Sequence, residues 1–159
     1  MKTAIVYYSL NGNCAIIAEE LKARLGADLL RLHTEKEKPR RGPAGFLWAI
    51  GVMLGVIKAP LKPYTFDPAL YDLIIIGAPV WGGSPARPIQ DFLAKAGITG
   101  KKTALFVCHA GGEGNALEQF KALLSGNEVT AEKSFVDPVK NSENAKQQAA
   151  DWVNGLQAN

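Results

Sequence analysis

Four short aliphatic runs, Ala4 to Tyr8, Ala27 to Leu32 (ADLLRL), Leu73 to Gly77 (LIIIG) and Thr103 to Cys108 (TALFVC), are separated by segments of helical spacing. Near-continuous apolar runs of this length suit strands covered on both faces, as in a parallel sheet. A fifth, more polar stretch, Glu128 to Val136, is expected as an edge strand. Helices are expected over Asn13 to Leu25, Ala86 to Ala96, Asn115 to Leu124 and Glu143 to Leu156, where apolar residues such as Ile89, Phe92 and Leu93 recur on one side. Alternation of strand and helix argues for an α/β domain with right-handed crossovers. At 159 residues, 47% hydrophobic and 21% charged, the chain has enough material for one folded core and little for a second, so 1–159 reads as a single domain.

Residues 39 to 66 break the pattern. Pro39, Pro43, Pro60 and Pro63 frame the run AGFLWAIGVMLGVI, which is shorter than the roughly 20 apolar residues needed to cross a bilayer. Phe46, Trp48, Ile50, Met53, Leu54 and Ile57 wrap most of the way round a helix. That fits burial or a partner surface better than one-sided amphipathicity: a crossover helix packed on the sheet, with an interfacial membrane helix or a lid over a ligand pocket as alternatives. The net charge of +3 is uneven: residues 1–62 carry ten Lys and Arg against five Asp and Glu, and residues 63–159 eight against ten. The densest basic stretch, Lys36 to Arg41 (KEKPRR), reads as a solvated loop or as weak contact with an anionic membrane surface through 36–57. No nucleic-acid partner is expected. Cys14 and Cys108 give neither a disulfide framework nor zinc-ligand spacing, and MKTAIVYYS lacks a signal-peptide pattern, so a reducing cytoplasm is the expected compartment.

Three expected strand ends are each followed by a glycine-containing polar loop and then a helix: SLNGNC, APVWGGSP and HAGGEGN. In a doubly wound sheet such loops lie along the carboxyl edge and can converge on one ligand crevice. The first suits a phosphate, because a helix N-terminus offers unpaired N–H groups and a partial positive charge. Ser9, Asn11, Asn13 and Cys14 add side-chain donors before Ala15, and Gly12 lets the backbone approach closely. An ordinary Asn-capped helix has the same local sequence. The loop lacks G-x-x-x-x-G-K-[ST] and G-x-G-x-x-G, and no arginine follows either cysteine within six residues. A phosphate is therefore expected to be held rather than cleaved. In the second loop, Trp81 stands between Pro79-Val80 and Gly82-Gly83 and offers an indole for stacking a flat ring, or a cover for the core. In the third, Gly111, Gly112 and Gly114 let the backbone approach a ligand edge, Glu113 is a nearby carboxylate, and Asn115 opens the next helix. His109 reads as a loop hydrogen-bonder more than as a proton-transfer residue. No catalytic residue or metal ligand is singled out.

Together, IVYYSLNGNCAIIAEEL, YDLIIIGAPVWGGSPARPIQDFL and LFVCHAGGEGNALEQF resemble the flavodoxin family, whose first loop is typically S-x-T-G-N-T, whose second contains P-x-W and whose third is glycine-rich. Order and spacing match over nearly the whole chain. The resemblance implies a doubly wound, three-layer sandwich with a five-stranded parallel sheet of order 2-1-3-4-5 and one noncovalent FMN. Its phosphate would lie at Ser9 to Ala15, and its isoalloxazine between Pro79 to Gly83 and His109 to Asn115. Asn11 and Cys14 stand in place of the usual threonines, which implies FMN binding about tenfold to a hundredfold weaker. Cys14 at a helix N-terminus is expected to have a lowered pKa when no phosphate is bound. A sequence pI near 8.9 also departs from the acidic carriers of the family. The implied function is electron transfer through FMN. One alternative is an NAD(P)H- or quinone-linked FMN reductase, and another a flavodoxin-fold scaffold with lost FMN affinity, held to vesicles by Lys36, Lys38, Arg40 and Arg41. A redox protein or a small acceptor such as a quinone is the expected partner. In the redox readings, Trp81 stacks on the ring and the Gly82-Gly83 peptide reorients toward the flavin N5.

Overall fold

A computed structural model describes residues 1–35, 37 and 42–157. The chain runs β1 (Thr3–Tyr8), α1 (Asn13–Leu25), β2 (Asp28–Leu32), α2 (Pro43–Met53), β3 (Leu73–Trp81), β4 (Ser84–Pro85), α3 (Arg87–Leu93), β5 (Lys102–His109), α4 (Ala116–Leu123), β6 (Glu128–Val136) and α5 (Ser142–Gln157). The five long strands are parallel, in the order β2-β1-β3-β5-β6, which is the expected 2-1-3-4-5 winding. β6 is the half-exposed edge that its polar sequence implied.

Successive side chains on a strand point to opposite faces, so a sheet covered on both sides needs apolar residues at every position. On one face Val6, Tyr8, Ile74, Ile76, Leu105 and Val107 pack beneath α2, α3 and α4. On the other, Ile5, Tyr7, Ile75, Phe106 and Cys108 pack beneath α1 and α5. Gly77 is a close-approach position: a Cβ there would run into the Phe106 ring. That ring is itself set edge-on to Phe135 and Trp152, at 6.1 and 6.4 Å.

Two boundaries differ from expectation by more than a residue or two. β3 continues past Gly77 to Trp81, so Pro79, Val80 and Trp81 belong to a strand rather than a loop. The cause is the Gly82-Gly83 pair, with φ of 59° and 77°, which turns the chain back so that Trp81 pairs with Ser84 in β4. Positive φ at both central residues is what a tight two-residue hairpin requires. α3 ends at Leu93 rather than Ala96.

The 39–66 segment does contain a helix on the sheet, but it spans only Pro43–Met53. Gly45, Trp48, Ala49 and Val52, at the i, i+3, i+4, i+7 spacing of one helical stripe, face inward. Phe46 and Leu54 are 67% and 72% exposed, so of the two readings, burial or a partner surface, burial holds for one face only. An isolated helix lying on a sheet has only one face to give. The following chain is fastened by backbone bonds from Glu35 N–H to Pro60 O and from Lys62 N–H to His33 O, each 2.8 Å. Lys36, Lys38, Pro39, Arg40 and Arg41 lie outside the described residues. No described helix is long and apolar enough to cross a membrane.

Candidate functional site

β1 delivers the chain to Ser9, which is buried, and the Ser9 hydroxyl organises the turn by accepting from Gly12 N–H (3.2 Å) and Ala15 N–H (3.3 Å). Gly12 takes φ 92°, and Ile16 N–H makes the first helical bond to its carbonyl at 3.2 Å. Among the described residues, the N–H groups of Asn11, Asn13 and Cys14 are left with no acceptor. Arg31, on β2 opposite Tyr7, donates from Nη2 to the Ser9 carbonyl at 3.0 Å and puts a cation beside this turn. The Asn13 side-chain oxygen accepts from Val139 N–H at 2.8 Å, so its NH2 is the part free to face a ligand. Asn11 is exposed.

Cys14 corrects an expectation. Its side chain is fully buried between α1 and the sheet, beside Cys108, instead of facing the loop. Burial first, and then the neighbouring Cys108 thiol, push its pKa well above the ordinary thiol range. The helix N-terminus favours a thiolate only where solvent or a cation can also reach it; here desolvation dominates. Cys14 thus contributes its backbone to the turn and its sulfur to the core, and both cysteines are free.

In the second loop the half-buried Trp81 ring meets Tyr8 edge-on at 5.6 Å and Trp48 of α2 edge-on at 5.9 Å. Trp81 therefore caps the core and still offers surface. The Tyr8 hydroxyl is buried with Thr34 beside it but without a hydrogen bond of good geometry, and burial raises its pKa. Val80, Trp81 and Gly82 also form one wall of an apolar pocket of about 350 Å³, whose other wall is α2 with Phe46, Ile50 and Met53.

In the third loop, the His109 Nδ1 accepts from Gly112 N–H at 2.9 Å, the loop-bonding role expected of it. Gly112 and Gly114 have φ of 117° and 54°. A Cβ on Gly114 would lie 3.0 Å from the Gly83 Cα, so the second and third loops touch backbone to backbone. Nothing lies within 4 Å of a Cβ built on Gly111 or Gly112. One Glu113 carboxylate oxygen, Oε2, is buried without a hydrogen-bond partner. Asn115 precedes α4 as an exposed cap residue with no side-chain bond.

The three loops therefore meet at one edge: Tyr8 touches Trp81, Cys14 touches Cys108, and Gly83 touches Gly114. The sequence reading missed Arg31, Tyr8 and Val139. Arg31 had a signal, as a lone cation within an otherwise aliphatic half-strand. Val139 had none, because it reaches Asn13 across 126 residues of chain.

A parallel sheet wound in both directions, with glycine-bearing loops converging at its carboxyl edge, defines a doubly wound α/β protein with an edge crevice. The fold is flavodoxin-like. No family model matches its sequence, and no curated protein matches it. Among solved structures it is similar to a flavoprotein of Lactobacillus acidophilus NCFM in complex with FMN, at 25% identity and TM-score 0.71, covering 88% of this chain and 97% of that one. It is also similar to the two-electron reduced flavodoxin of Megasphaera elsdenii, at 19% identity and TM-score 0.62, covering 92% and 95%. General stress protein 14 of Treponema denticola, in complex with FMN, shares the fold at 12% identity and TM-score 0.60, covering 99% of both chains.

Proposed function

We propose that the chain binds FMN noncovalently and transfers electrons through it. The observation that carries this reading is the set of unpaired N–H groups at Asn11, Asn13 and Cys14 around the Gly12 turn, where the start of α1 favours an anion. The residues present fit the rest of the group. The Asn13 NH2 and the charge of Arg31 would help to hold the phosphate. The half-buried face of Trp81 and the open backbone at Gly111-Gly112 would flank the ring. The buried Glu113 Oε2, an acceptor lacking a donor, would receive a ring N–H. FMN, when bound, supplies one- and two-electron redox chemistry. The chain's own part is to grip the phosphate, exclude water from one ring face with Trp81, and offer the Gly82-Gly83 peptides as hydrogen-bonding groups that glycine can reorient. With the Cys14 thiol turned into the core, the phosphate rests on backbone and amide donors, which supports a weaker grip than two threonine hydroxyls give.

A second reading, an FMN-dependent reductase of a small apolar acceptor such as a quinone, is favoured by the 350 Å³ pocket between α2 and Trp81.

Titration of flavin-stripped protein with FMN, with riboflavin as the control, tests the proposal through tryptophan and flavin fluorescence. Saturable quenching by FMN at concentrations where riboflavin gives none supports it. Absence of FMN binding at tens of micromolar leaves a helix cap and a scaffold. Loaded protein is then mixed with NAD(P)H and a quinone; rapid bleaching and quinone turnover select the reductase, and slow reduction by NAD(P)H alone selects the carrier.

A further inference from the structure

α2 is built without a single polar side chain: its sequence is PAGFLWAIGVM. A helix apolar on every face is normally buried on every face. This one is buried only along Gly45, Trp48, Ala49 and Val52. The opposite surface exposes Phe46 at 67%, Leu47 at 66%, Leu54 at 72% and Val56 at 79%. Large apolar residues exposed together along one helix and the turn after it mark an interaction site. Three observations identify the occupant. From residue 38 to residue 66 the sequence has five Lys and Arg and no Asp or Glu, and of these Lys58, two residues after Val56, is exposed. The patch offers no side-chain hydrogen-bonding group, whereas protein interfaces carry about one hydrogen bond per 100–200 Å². The helix is 11 residues, about 16 Å at 1.5 Å per residue, against a hydrocarbon core of about 30 Å. It can lie in a membrane interface and cannot cross it.

We propose that the outer face of α2, with the Leu54–Val56 turn, docks on an anionic lipid surface, with Phe46, Leu47, Leu54 and Val56 entering the headgroup boundary and Lys58 meeting lipid phosphates. The proposal does not rest on FMN binding, although Phe46 and Leu54 also line the pocket beside Trp81. It also gives α2 two apolar neighbours, its own sheet inside and lipid outside, which accounts for the missing polar face.

The test is co-sedimentation of the purified full chain with vesicles of phosphatidylcholine alone or mixed with phosphatidylglycerol. Binding is expected to the mixed vesicles and to fall as salt rises, because surface attraction is screened. F46S/L54S should lower the partition at least about tenfold, and K58E about fivefold or more. Circular dichroism and the unfolding temperature report whether F46S/L54S folds; should it not, L47S/V56S carries the same test on other exposed positions. Three results each overturn the proposal: no binding to mixed vesicles, binding that both apolar pairs leave unchanged, or a dimer in light scattering that F46S/L54S abolishes.

Discussion

The Ser9 hydroxyl is the smallest group on which the site depends, because it holds two backbone N–H groups of the first loop while itself buried. Ser9→Ala leaves both donors without an acceptor, and a lost buried hydrogen-bonding partner costs about 1–3 kcal/mol. The expected outcome is a lower urea midpoint together with weaker FMN quenching, measured on the same preparation. Cys14 governs the alkaline side of stability. Its folded pKa is raised, so its contribution is fully present below the unfolded thiol value of about 8.5 and is lost as pH rises above it. Tyr7 and Tyr8, also raised by burial, extend the decline above about 10. Urea midpoints should therefore fall between pH 8 and pH 10.5, and Cys14→Ala should flatten the first part of that fall. At this scale the sequence was readable where chemistry is local. Ser9, Gly12 and Asn13 announce a tight turn before a helix, and they form one. The direction of the Cys14 sulfur was not readable, because it depends on Cys108, which only the winding of the sheet brings alongside.

Strands and helices were more legible than single atoms, since a doubly covered strand needs uninterrupted apolar sequence and LIIIG or TALFVC has few other uses. The hairpin after β3 was the exception: Gly82-Gly83 was visible as flexible chain, but its turn depends on Trp81 and Ser84 pairing across it. α2 was legible as a helix and misleading about burial, because its composition reports how apolar it is and not how much of it is covered. Gly77 makes the element-scale prediction. Gly77→Ala forces a methyl into the Phe106 ring, and overpacking of this kind costs about 1–3 kcal/mol. The loss in urea midpoint should shrink when the same substitution is made in a Phe106→Leu background, since the two positions share one space.

Across the molecule, the two core clusters are separated only by the thickness of one sheet, and β1, β2, β3, β5 and β6 each contribute to both. Denaturant should therefore melt both faces together, with circular dichroism and fluorescence tracing one transition; two separate transitions would show that the faces fold apart. The charge imbalance between the chain's halves was plain in the sequence, but which side of α2 stays exposed was not, since it emerges only when one stripe of the helix is spent on the sheet. The chain's three tryptophans are divided by the same sheet. Trp48 and Trp81 stand edge-on to each other beside the crevice, while Trp152 lies against Phe106 and Phe135 on the far face. The protein thus carries an optical pair at its working edge and a reference emitter behind a β-sheet, so a W152F variant would report the crevice alone and a W48F/W81F variant the scaffold alone.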